Sequence, residues 1–513
     1  MNTSTLPATD TRTGSALRQW IWPLVGLVLI GYGLLAFSAG TTLSPATGRT
    51  DNGAEVARYV LDQTRQGVDM IGTEEVSQVV PAWANLMARL SSSDYAYGDD
   101  GLQDTQIYYF SMSESRRTVL STHMMLGMVL MTAGFFQFWP AFRRRFRKTH
   151  RVLGVVYVLA AFASMTLSGI HLVNSGVANT FNTYVFHVGL WVMLAGVVVS
   201  VSMAGIALLR KDIARHLGWQ ALGFGFLMTA PLQRIDWIAL STVAGEASFN
   251  EMNILVNTIL FVQATLAGYW LFRVNRGSSP LRASATLALK PISQAMQRSG
   301  YVLLAALALV WLLPALTLGS LADLPVVERM VPVAPLSWLT GVVDGGTLML
   351  FAVAVTVLML TAWTQLANLR NGIESKPMTT QLLRISTLIA AALTLYWGYQ
   401  LGMPSHAHSA AGGGFALLGL LLAFYLLQLG KAQRQGEQGK AVEWLQFLLL
   451  SATTPALLLI NLWLLDLTGA VPSLYLGKGA GYELATISAI FTPVLIGFLM
   501  SVYSAETNRY RIN

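Results

Sequence analysis

Five of the seven histidines in this sequence lie between residues 116 and 240, and four of them mark the ends of consecutive apolar segments. Those segments run from about Val119 to Pro140, Arg151 to Val173, Tyr184 to Leu209 and Ile213 to Ala239. His123 stands near the start of the first, and His150, His187 and His216 open the next three. Read as helices of alternating direction, they sort the histidines into two layers. His123 and His187 fall in one, with His171 at its edge, and His150 and His216 fall in the other. His150 and His171 are 21 positions apart on one helix, roughly 31 Å at 1.5 Å per residue, a whole membrane thickness. Each layer thus offers two imidazoles from different helices, His123 facing His187 and His150 facing His216. Two imidazoles on facing helices with a planar slot between them are what bis-histidine ligation of a b-type haem requires. The leading expectation is therefore one or two b haems with iron held by His123, His187, His150 and His216, and no catalytic side chain beyond them. Gly127 and Gly134, four and eleven positions after His123, and Gly154, four after His150, offer room for a porphyrin.

The competing reading is that each histidine is an interfacial hydrogen-bonding residue, since all four sit near helix ends where a polar side chain costs little. His171 is read this way, and His406 and His408 as loop residues. Arg143, Arg144, Arg145 and Arg151 can pair with haem propionates, because Arg binds carboxylates with two parallel bonds; equally, they can serve only to set topology. Arg234 is expected at the interface, paired with Asp236 or with a propionate. Tyr157, on the His150 helix, is read as packing or as a neighbour of the haem.

The elements that must position these residues follow from composition. The chain has 513 residues, 54% hydrophobic and 11% charged, with a mean hydropathy of +0.53. A soluble protein carries roughly 25% charged residues, so the fold class is an all-α polytopic membrane helix bundle. Cysteine is absent, which excludes disulfides and thiolate-held iron and leaves histidine as the metal ligand. The net charge of +8 would suggest nucleic acid in a soluble protein. Here the bilayer is the partner and nucleic acid is not, because the basic residues sit in short loops between apolar runs. These loops include the FRRRFRK segment (Arg143, Arg144, Arg145, Arg147 and Lys148), Arg210-Lys211, Arg273 with Arg276, Lys431 with Arg434, and the tail with Arg509 and Arg511. Placing them all on one side gives about twelve transmembrane helices with both termini on that side, the cytoplasm by the positive-inside rule.

In order, the chain reads as a disordered cytoplasmic tail (1–18), a first membrane helix (19–40) and a mostly helical extracytoplasmic cap (41–115). The four-helix histidine-bearing core (116–240) follows, then a sixth helix and linker (241–296), and a second six-helix half without the core histidines (297–513). In the cap, Val56, Tyr59 and Val60 and, later, Val79, Trp83, Leu86 and Leu90 recur at helical spacing, and Trp83, Leu86 and Leu90 need an apolar surface to cover. The two halves carry a weak repeat: Trp139 and Trp363, Pro231 and Pro455, and Gly245 and Gly469 each lie 224 positions apart, and Thr229-x-Pro231 matches Thr453-x-Pro455.

Two resemblances bear on the core. His123-Met-Met-Leu-Gly127, the basic loop into His150, Tyr184-Val-Phe-His187 and Arg215-His216-Leu-Gly218 are similar to the transmembrane di-haem cytochrome b family that passes electrons from ascorbate across membranes. That resemblance implies two haems, the first ligand helix paired with the third and the second with the fourth. It does not extend to the acidic cap or the extra helices, so ascorbate is not carried over. The same region also resembles a family of bacterial membrane proteins of unassigned function, through His123, Gln137, His150-Arg151-x-x-Gly154-x-x-Tyr157, Trp191, Asp212-x-x-x-His216-x-x-Trp219 and Arg234. That likeness implies a bacterial cytoplasmic membrane protein and favours the His150–His216 pair, because the family carries no firm histidine at the position of His187. The leading function is transmembrane electron transfer through paired histidines, a cytochrome-b-type oxidoreductase with a quinol or a redox protein as partner. The alternatives are a transporter or flippase of two six-helix halves, and a non-catalytic scaffold that binds a partner through its cap.

Overall fold

The computed structural model describes the chain except for residues 1–10, 48–51, 69, 71–72, 80–88, 92–95, 99–100, 178–182, 244–248, 277–290, 318–322, 332–340, 402–408 and 508–513. Each regular element among the described residues is a helix. In lipid a helix satisfies its own backbone hydrogen bonds, so an apolar chain without a closed barrel has no other way to cross. The first membrane helix, α1 (Thr11–Leu43), begins within the stretch expected to be a disordered tail and carries Pro23 inside it. The cap carries α2 (Gly53–Arg65), α3 (Glu74–Val79) and α4 (Asp104–Ser111). The core follows as α5 (Glu114–Phe138), the short α6 (Pro140–Arg145), α7 (Arg147–Ser175), α8 (Tyr184–Leu209), α9 (Ile213–Leu227), α10 (Thr229–Val243) and α11 (Phe249–Arg276). The second half holds α12 (Gln294–Thr317), α13 (Pro325–Met330), α14 (Gly345–Asn371), α15 (Pro377–Gln400) and α16 (Ser409–Arg434). It closes with α17 (Gln438–Ser451), α18 (Thr454–Thr468), α19 (Ser473–Leu476) and α20 (Ala480–Thr507).

Ten of these helices are long and apolar enough to cross a membrane among the described residues, or eleven when α17 and α18, bent by 44°, count as one span. The expected twelfth is α9 with α10, two fifteen-residue helices in place of the single helix read from Ile213 to Ala239. Proline explains the break. Pro231 has no N–H to give the carbonyl four residues before it, and the Thr229 hydroxyl turns back on Phe226 O at 2.6 Å. Pro455 stands at the same place in the α17–α18 pair.

The two halves share a pairing scheme. In the first, α5 packs on α1, α7 and α9, α8 on α7 and α9, and α11 on α8, α9 and α10. In the second, α14 packs on α12, α15 and α17, α16 on α15 and α17, and α20 on α16, α17 and α18. Contacts between the halves follow the same exchange: α11 meets α20, α11 meets α16, and α20 meets α8. This is a parallel repeat about an axis along the membrane normal, with α11 and α20 at its centre.

The cap is docked on one end of the bundle. Ala57, Val60, Met70, Val79, Leu102 and Phe110 form one apolar cluster with Leu43, Leu120, Trp237, Met252 and Val256 from the outer ends of α1, α5, α10 and α11. Gly53 lets the Phe110 ring approach to contact, and Arg65 joins α2 to α4 through Asp104 at 3.1 Å and Tyr97 O at 2.7 Å. Of the residues expected to anchor the cap, Leu90 is 48% exposed, and Trp83 and Leu86 lie outside the described residues. Phe110→Ala should remove about 3–5 kcal/mol of packing and loosen the cap. Proteolysis within residues 52–112 in intact membranes should then accelerate; a digestion rate equal to wild type would show that the cluster does not hold the cap.

The cap lies on one side and the FRRRFRK loop on the other. The native chain has no cysteine, so single cysteines report sidedness directly. Ser92, in the cap, lies outside the described residues; Tyr59, 51% exposed on α2, and the exposed Arg145 are the better pair. Tyr59→Cys should react with an impermeant maleimide from the outer face and Arg145→Cys only after permeabilisation. The reverse pattern would invert the topology.

Candidate functional site

On the basic side, local capping sets His216. The Asp212 carboxylate accepts from Arg215 N at 3.1 Å, starting α9 so that His216 falls in its first turn. The His216 ring then turns toward α8, with Nδ1 3.0 Å from the Ala204 carbonyl. With the proton on Nδ1, that nitrogen donates and Nε2 keeps a free lone pair, the tautomer a metal-bound histidine adopts. The second half supports α9 from behind. Gly218 leaves space filled by Val502 of α20, and the Arg215 guanidinium lies 4.8 Å from the centre of the Tyr503 ring.

His150 occupies the first turns of α7. Its carbonyl accepts from Gln137 Nε2 at 3.0 Å, and Gly154 one turn on leaves room for that amide. Neither ring nitrogen of His150 has a hydrogen-bond partner among the described residues, and Nδ1 is buried. His216, Arg143 and Arg151 are all within electrostatic reach of the ring. A bare imidazole beside a second, tethered imidazole and two guanidiniums suits a group with a metal centre and carboxylate arms. Burial, with Arg144 adding to it, pulls the Arg143 guanidinium below its ordinary range. Arg145 points elsewhere, exposed and 5.6 Å from the centre of the Phe146 ring.

The cap-side histidines are arranged differently. His123 Nδ1 lies 3.0 Å from both the carbonyl and the hydroxyl of Ser164 on α7. Its histidine neighbour is His171, within electrostatic reach on α7, and His171 in turn lies 3.3 Å from Ser175 Oγ. His187 is engaged within its own helix: Trp191, one turn on, donates to His187 Nε2 at 3.1 Å. That bond occupies the lone pair an iron atom would take. His123 and His187 thus do not make the expected ligand pair, and His171, read as an interfacial residue, is the histidine within electrostatic reach of His123.

Other expectations shift as well. Arg234 donates to Gln233 Oε1 at 2.8 Å and lies over the Trp237 ring, while Asp236 accepts from Gln263 Nε2 at 2.8 Å. Residues two apart on a helix do not face each other, so in place of the expected Arg234–Asp236 pair Arg234 keeps partners on its own helix and Asp236 is bonded from α11. Arg234 is also within reach of Tyr109 in the cap, where burial raises the phenol above its ordinary value and Arg234 works against that rise. Tyr157 is 1% exposed, edge-on to Phe224 at 6.2 Å. The space left by Gly134 is filled by that same Phe224, and Gly127 faces Ala36, so the room expected for a porphyrin at these glycines is taken by protein. Gly245, His406, His408, Arg509 and Arg511 lie outside the described residues, as does the side chain of Glu251.

Two buried carboxylates among the described residues escaped the sequence reading, Glu483 of α20, 2% exposed, and Glu443. Glu443 of α17 is 5% exposed and sits where the halves meet. It accepts from Tyr269 OH at 2.7 Å and pairs with Arg276 at 2.7 Å, both on α11. The signal was present, a lone carboxylate in the apolar run after Lys440, where a charge must find a partner.

No curated protein and no solved structure matches the chain. Residues 120–272, from α5 through α11, match the family described as "Predicted membrane protein (DUF2306)". The matched segment holds all four candidate ligand histidines, and with its ten or eleven membrane-length helices the chain is a polytopic membrane protein.

Proposed function

We propose that this protein transfers electrons at the basic face of the membrane through one b-type haem held by His150 and His216. The observation that carries the reading is the His150 ring, without a hydrogen-bond partner among the described residues, beside His216, Arg143 and Arg151. A haem held by His150 and His216 would supply one-electron chemistry. The chain's own residues do the rest. The Ala204 carbonyl fixes the His216 ring and its proton at Nδ1, Gln137 holds the start of α7, and Arg143 and Arg151 would neutralise the propionates. The core's resemblance to the di-haem cytochrome b family supports the same chemistry, with the haem number reduced to one because His187 Nε2 is already engaged. A quinol in the bilayer or a redox protein at the basic face would be the exchange partner. The visible absorption spectrum of the purified protein, compared with that of a His216 variant, tests the reading.

The second reading is a transporter. Matched breaks in α9–α10 and α17–α18, at equivalent positions of two parallel halves, are a recurrent feature of substrate sites in transporters. A purified protein without a haem spectrum would favour it.

A further inference from the structure

The repeat makes an asymmetry visible. In the second half α15 and α16 touch backbone to backbone: a Cβ on Gly398 would stand 2.8 Å from Gly412 O and Ala416 N, and one on Gly419 2.9 Å from Ala391 O. Their counterparts α7 and α8 part instead toward the cap side, leaving a groove of about 540 Å³. That volume lies within the roughly 300–1,000 Å³ of small-molecule sites. Phe162, Gly169, Ile170, Val173, Trp191 and Leu194 line it. Gly169 keeps it open, since a Cβ there would meet only the tips of Leu194 and Trp191. Ile170 is 42% and Val173 72% exposed, so the groove faces the surrounding lipid and not the bundle.

Its cap-side mouth is polar and positive. Asn174, the last lining residue, presents its carbonyl to Arg116 Nη2 at 2.6 Å, and the same nitrogen lies 3.3 Å from Tyr108 OH of the cap. Arg116 makes no ion pair with a described carboxylate, and its Nε is buried without a hydrogen-bond partner. A guanidinium without a counter-charge among the described residues, at the end of a lipid-facing apolar groove, suits an anion attached to a hydrocarbon chain. We propose that this groove binds one phospholipid of the cap-side leaflet, an acyl chain between α7 and α8 and its phosphate on Arg116.

The test uses the full-length protein, delipidated in mild detergent and offered phosphatidylglycerol, diacylglycerol or an isoprenoid quinone, with native mass spectrometry as the readout. Wild type should take up one phosphatidylglycerol in preference to the other two. Arg116→Gln should weaken it about tenfold or more, the loss of one charge-assisted bond. Val173→Trp, at an exposed position that disturbs no core packing, should block uptake while the thermal unfolding profile stays that of wild type. Equal uptake of diacylglycerol, preferential uptake of the quinone, or binding unchanged in both variants would overturn the proposal.

Discussion

His216→Ala should abolish the reduced-minus-oxidised absorption of a b-type haem in the purified protein, and His150→Ala should do the same. Each would remove one of the two imidazoles proposed to hold the haem. His123→Ala and His187→Ala should leave the spectrum at wild-type intensity, because His123 is held by Ser164 near His171 and His187 by Trp191. The Arg pair separates ligation from a general loss of fold. Arg143→Gln or Arg151→Gln should keep the haem but shift its midpoint potential downward, since removing a nearby positive charge favours the oxidised iron. A wild type without a Soret band would end the electron-transfer reading. Spectra lost with His123 or His187 and retained without His216 would move the site to the cap side.

Glu443→Ala should destabilise the folded protein by about 3–5 kcal/mol, the cost of leaving one member of a buried pair without its partner. Arg276 would lose its carboxylate and Tyr269 its acceptor, at a seam where α11 of one half meets α17 of the other. Glu443→Gln should be milder, because an amide oxygen still accepts from Tyr269. Tyr269→Phe should cost only about 0.5–1.5 kcal/mol, one neutral hydrogen bond. Thermal unfolding in detergent ranks the three. If Glu443→Ala unfolds at the wild-type temperature, the halves are held by apolar packing alone, with Tyr269 on Trp444 and Phe447 as its centre.

Much of this architecture was legible as text. Apolar runs bounded by basic loops gave the membrane helices, their alternating direction and the two layers in which His123 and His150 lie. Thr229-x-Pro231 and Thr453-x-Pro455 pointed to corresponding positions, and both proved to be helix breaks. The breaks themselves were not read, because the apolar run continues through them and only the missing proline donor interrupts the ladder. The docking of the cap was expected from apolar residues at helical spacing. Val60 and Val79 of that spacing do perform it, joined by Phe110 and Met70, which the spacing did not mark.

What the sequence by itself determined was depth: which residues lie at which height in the membrane, because the length of an apolar run and the charges at its ends fix that. What only the tertiary structure decided was rotation and neighbourhood. On α8, Ala204 is fully buried and Leu209 85% exposed, yet both are apolar. In a soluble helix a polar stripe marks the outer face; in lipid both faces are hydrocarbon, and no stripe tells the inward side from the outward. The carbonyl anchors of His123 and His216 had no sequence signal either, since any residue at Ser164 or Ala204 supplies a carbonyl. His123 therefore lies against Ser164, within electrostatic reach of His171 and not paired with His187, for a reason that exists only once helices have chosen their partners: α7 packs against α5.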